Sequence, residues 1–260
     1  MARQLENTQL LFVDLNGANI QNPNIFYSVK LAEYLGGDGD SIRNKLCDIN
    51  LTAFYCHDLP DWSKMNEAIL KFNVKYYPSN DNNADLNEAS FVRDFRVKDG
   101  TSPGGFLHRK IFKNVNYGEE LFLKVKLDEI DEKFDISKVT GMIQNTSIGE
   151  YLNLGGALDY IKLGTEIYDG IAEMVVKDDP IWDEDDISLH SDFPQGGGSA
   201  ALKEGTYILI STSDTKGKST KYWEDDYSNV FYKGKHLHLG AEENDNHLKT
   251  NYMVFEIKFH

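Results

Sequence analysis

The amino-acid sequence predicts a mainly β protein, an antiparallel β-sandwich of jelly-roll type, folded as one domain over residues 1–260 with a helical insertion around residues 130–176. Three observations predict it. Several segments alternate apolar and polar residues with period two, the mark of half-buried strands. Clusters of Gly, Pro, Asn and Asp bound those segments and supply turn chemistry. The period changes after Asp128, where apolar residues begin to recur at helical spacing.

In chain order, the first strand candidate is residues 9–15. Residues 25–32 follow, with Ile25, Tyr27, Val29 and Leu31 on one face, and residues 49–55, with Ile49, Leu51, Ala53 and Tyr55 inward. Residues 71–77, 89–97 and 105–113 are further candidates between turn-forming clusters. In residues 119–128, Leu121, Leu123, Val125 and Leu127 alternate with Phe122, Lys124, Lys126 and Asp128. The insertion opens with Asp135 as an N-cap and places Leu154, Leu158, Ile161, Tyr168 and Ala172 near one stripe. Gly155, Gly156, Gly164 and Gly170 each weaken a helix by about 1 kcal/mol relative to Ala, which predicts a break rather than one straight helix.

Residues 177–192 are a charge run, expected as a loop, and residues 193–201 a glycine-rich hinge. Strands resume at 205–212 and 229–239, and residues 251–259 turn Met253, Phe255, Ile257 and Phe259 inward. The last two segments are expected to form a hairpin over 229–259 with an acidic turn at 241–245. Roughly nine or ten strands at this spacing predict a sandwich or barrel. Because strands on either side of the insertion need each other to bury their faces, the chain is expected to be one domain.

Charge narrows the function classes. With 42 acidic against 27 basic residues the net charge is −15, which repels nucleic acid and anionic lipid. The densest basic group, around Arg109, Lys110 and Lys113, is too thin for a binding stripe. The first residues lack the apolar run of a signal peptide, so a cytoplasmic or otherwise non-exported protein is expected. No stretch reads as a transmembrane segment, since residues 151–175 carry Asp159, Lys162, Glu166, Asp169 and Glu173. The sequons at Asn50 and Asn145 are read as chance, and Cys47 and Cys56 as buried free thiols.

Two groups of residues suggest ligand chemistry. In HLHLGAEENDNH, His236 and His238 are two apart on a strand and share a face, a geometry that can grip a metal. With Glu242 four residues after His238, the spacing resembles the first metal-binding motif of the cupin family, and His247 with Asn251 resembles part of its second. The likeness covers residues 236–251; the family's flanking glycines and the Pro and Gly before its second histidine are missing. Whether His247 faces His238 depends on register, because a one-residue slip reverses every side chain.

The second group is acidic: Asp183, Asp185 and Asp186 with Asp178, Asp179 and Glu184, then Glu224, Asp225 and Asp226, and Asp38 with Asp40. Calcium needs several oxygens converging from short loops. Loops of this placement resemble those of the calcium-dependent lipid-binding family, which implies a C2-like sandwich with calcium as its cofactor and a calcium-mediated membrane contact. Nucleophilic catalysis and phosphate binding find no signature, since Ser199 in GGGSAA lacks both the nucleophile elbow and the phosphate-loop lysine. Trp62, Trp182 and Trp223 could offer sugar platforms, but Trp more often anchors a core or interface.

The expected function is therefore non-enzymatic: a binding or assembly protein that offers acidic loops and edge strands to a protein partner or to itself. Two alternatives stand beside it, a calcium-binding module using Asp183, Asp185 and Asp186, and a metal-dependent enzyme using His236 and His238.

Overall fold

The computed structural model describes residues 8–15, 22–32, 35, 42, 45–57, 59, 66–78, 86–103, 109–129, 180–191, 200–211, 227–240 and 247–260. The expected helical insertion at 130–176 lies outside the described residues, as do Asp38, Asp40, Asp178, Asp179 and Glu224 to Asp226. What is described is almost entirely β: β1 (Thr8–Val13), β2 (Tyr27–Leu31), β3 (Cys47–Tyr55), β4 (Asn66–Tyr76), β5 (Asn87–Val97), β6 (Arg109–Val115), β7 (Glu120–Glu129), β8 (Pro180–His190), β9 (Ala200–Ala201), β10 (Gly205–Ser211), β11 (Val230–Lys233), β12 (His236–Leu239) and β13 (Tyr252–Phe259). A 3-10 turn, Tyr227–Asn229, leads into β11.

The strands form two curled sheets, one of eight strands in the order β12-β11-β2-β1-β10-β13-β3-β6 and one of five in the order β5-β4-β7-β8-β9. All pairings are antiparallel except the short contact of Leu189 and His190 with β9. Alternation explains the shared core. Leu121, Leu123, Val125 and Leu127 of β7 bury one face, beside Leu70 and Phe72 of β4, and meet Phe112, Leu209, Met253 and Phe255 from the larger sheet. Each large apolar side chain so buried contributes about 1.5–3 kcal/mol. Trp182 of β8 joins this core and donates from Nε1 to Thr8 Oγ1 of β1 at 2.8 Å, tying the sheets together.

The larger sheet has a second core on its other face. Along β10, Tyr207 and Leu209 face the first core while Ile208 and Ile210 face the second; along β13, Met253 and Phe255 oppose Tyr252 and Val254. Tyr252 and Val254, on the other face of β13, are thus also buried, while Glu256 is half-buried and Lys258 exposed. Curling makes this possible: the terminal strand β12 returns toward β13 within the same sheet, and the Leu237 amide donates to Tyr252 Oη at 3.2 Å. Leu11, Val29, Tyr232 and Leu237 fill the interior of that curl.

Several expectations need correction. Residues 177–192 are not a loop: β8 occupies Pro180–His190, and β9 lies within the expected hinge. The strand was hidden because its inward positions are Trp182, Glu184, Ile187 and Leu189, paired to Leu127, Val125, Leu123 and Leu121, with a register shift at Asp185 and Asp186. Residues 229–239 form two strands joined at Gly234 and Lys235, whose φ values of 57° and 78° suit a tight hairpin turn. The 229–259 segment is not one hairpin, since β13 pairs with β10 and β3. Finally, Ile25 is exposed ahead of β2, and the inward set of β3 changes face at Thr52: Ile49, Leu51, Phe54 and Cys56 enter the first core, Ala53 and Tyr55 the second. A bulge there pairs Leu51 with Phe255 and Ala53 with Val254, so the extra residue reverses the phase.

Cys47 and Cys56 are free and buried. Burial, aided by the adjacent Asp48, raises the Cys47 thiol to about 12, and burial raises Cys56 as well.

Candidate functional site

The seam where β12 closes on β13 gathers the histidines. β12 alternates, so Leu237 enters the second core and leaves His236 and His238 half-buried. His247 stands opposite His238 in an antiparallel bridge, and the next residue, Leu248, donates its amide to the Leu237 carbonyl at 2.9 Å. This register brings three imidazoles together: the His238 and His247 ring centroids are 4.7 Å apart, and those of His236 and His247 are 4.9 Å apart.

Aromatic rings from distant segments enclose the group. Tyr55 of β3 stacks on Tyr252 of β13 at 5.0 Å and approaches His236 edge-on at 5.9 Å. Tyr252 Oη lies 3.4 Å from His236 Nδ1. Phe26 meets His238 edge-on at 5.4 Å, and Lys233 Nζ stands 4.4 Å over the Phe26 ring. Burial holds the His236 imidazole below its ordinary pKa, helped by His247, His238 and Lys235. Burial also raises the phenols of Tyr55 and Tyr252, which stay protonated and able to donate.

His247 Nδ1 is buried with no hydrogen-bond partner among the described residues. Also among the described residues, no group of three or more His, Cys, Asp or Glu side chains is arranged to hold a metal ion. Glu242, the remaining member of the motif, lies outside them. The three rings form one packed aromatic group at the seam.

The acidic candidates fall elsewhere. Asp183 is on β8 and partly exposed, 3.8 Å from Lys126 Nζ, while Asp185 and Asp186 occupy the irregular step of that strand. A charged group that the sequence did not single out lies beside them. Lys71 Nζ of β4 bonds Asp128 Oδ2 of β7 at 3.0 Å with both side chains buried, and Lys126 Nζ is 3.4 Å from Asp128 Oδ1. Burial lowers the Lys71 pKa and Asp128 opposes that shift, so this is a desolvated ion pair. The signal was present, since Lys71 and Asp128 both break apolar stretches, but their pairing depends on strand order. Tyr55 and Tyr252 carried no local signal of a shared site.

No helix among the described residues is long and apolar enough to cross a membrane. Comparison with protein families, curated proteins and solved structures finds no significant match to this chain.

Proposed function

We propose that this chain is a non-enzymatic binding and assembly protein, its two sheets forming the layers of an antiparallel sandwich, and that β5 pairs with a second copy of the chain. The observation that supports this reading is the edge itself. β5 pairs with β4 without interruption from Asn87 to Val97, and among the described residues no strand lies on its other side. Such an edge presents a row of backbone donors and acceptors, a template for strand addition. The other three edges suit this less: β9 has two residues, β6 pairs irregularly with β3, and β12 is engaged by Leu248 and Tyr252.

Two further features favour self-pairing. An antiparallel pair of β5 strands centred on Val92 sets Glu88 opposite Arg96 twice, once on each side of the axis, as a symmetric interface requires. At the entry to β5, Leu86 is 44% exposed and its neighbour Tyr77 is 52% exposed, large apolar groups that a second copy would cover.

Size-exclusion chromatography with light scattering tests the proposal. The wild type is expected at twice the chain mass, Arg96→Glu at the single-chain mass, and Glu88→Arg with Arg96→Glu again at twice the mass. A wild type that remains a single chain at high concentration, or an Arg96→Glu variant that still dimerises, overturns it.

A further inference from the structure

We infer that the His236, His238 and His247 seam is a proton-operated latch that closes the second core. The geometry carries the inference. Among the described residues, the β11–β12 hairpin pairs with β2 at two positions, Phe231 with Ser28 and Tyr232 with Tyr27, and Phe231 also meets Phe26 edge-on. Its other edge is held by the Leu248 to Leu237 hydrogen bond, the Leu237 to Tyr252 hydrogen bond and the ring contacts of the three histidines. Leu237, Tyr232 and Val230 plug the second core from this hairpin, so release of the seam uncovers Tyr252 and Val254 beneath it.

Protons act against closure. The groups facing His236 are His247, His238 and Lys235, each a cation when protonated, together with the phenols of Tyr55 and Tyr252. From β11, Lys233 adds a further positive charge over Phe26, which contacts His238. The connector at 241–246 carries Glu242, Glu243 and Asp245 and lies outside the described residues. Because the His236 imidazole is held below 6.5 when the seam is closed, the closed form binds fewer protons than the open form. Closure is therefore at full strength above pH 6.5 and weakens as pH falls through the range below it.

Hydrogen exchange read by mass spectrometry tests the latch on the full chain at pH 7.5 and 5.5, with rates corrected for intrinsic pH dependence. Peptides over 227–240 and 247–251 are expected to exchange several-fold faster at the lower pH. Peptides from β4 and β7 should change little. His236→Gln with His247→Gln should lose the acid response, and His238→Phe serves if that pair fails to fold. Neutralising the connector, by Glu242→Gln, Glu243→Gln and Asp245→Asn, should leave the response intact. Equal corrected rates at the two pH values overturn the latch, as does a response that survives removal of the imidazoles or vanishes with the connector's charges. Acceleration of β4 and β7 in parallel also overturns it, since that is general acid unfolding.

Discussion

Gly205 opens β10 with φ +148°, and a Cβ at this position would lie 2.6 Å from Phe12 Cζ and 2.8 Å from Phe12 Cε2. The Phe12 ring cannot swing away freely, because it meets Tyr207 edge-on at 5.0 Å, and Tyr207 in turn stacks on Phe255 at 5.4 Å. Only a residue without a side chain combines that backbone angle with that approach. Gly205→Ala is therefore expected to destabilise the protein by ~2 kcal/mol or more, from backbone strain and overpacking together. Urea unfolding of the two proteins measures the difference, and equal midpoints would refute the assignment. At the same scale, the shared face of His236 and His238 was legible, because period two alone determines it. The meeting of His247 with them was not, since it depends on one register step, and the Tyr55–Tyr252 stack needs β3 and β13 to be neighbours.

Strands were legible where alternation runs unbroken. β7 was read correctly because every second residue from Leu121 to Leu127 enters the first core and no bulge disturbs it. β3 was recognised as a strand, yet Ala53 and Tyr55 were assigned to the wrong face because a bulge at Thr52 leaves no trace in a pattern of apolar residues. β8 was missed for two reasons, the shift at Asp185 and Asp186 and a carboxylate, Glu184, at an inward position. The buried pair of Lys71 and Asp128 gives adjacent strands β4 and β7 a testable link. Asp128→Asn removes the carboxylate that the buried Lys71 ammonium bonds and is expected to destabilise the protein. Lys71→Met with Asp128→Leu removes both charges and is expected to recover most of that loss. Chemical denaturation of the single and double variants checks both outcomes, and a double variant no more stable than Asp128→Asn would contradict this account.

On the scale of the whole molecule, the eight-stranded sheet is a partition between two cores. One core joins it to the five-stranded sheet, and the other lies inside its own curl. β10 and the first half of β13, Tyr252 to Phe255, are buried on both faces of that partition, and both strands are paired on both sides. Composition and alternation conveyed the β class, but a second core requires a sheet that returns on itself, and no local pattern encodes that return. Native-state hydrogen exchange followed residue by residue is the most direct test. Amides from Tyr207 to Ile210 and from Met253 to Phe255 are expected to exchange more slowly than those of any other strand, at rates set by global unfolding. Exchange of these central amides as fast as that of β6 or β12 at the sheet's ends would contradict the two-core arrangement.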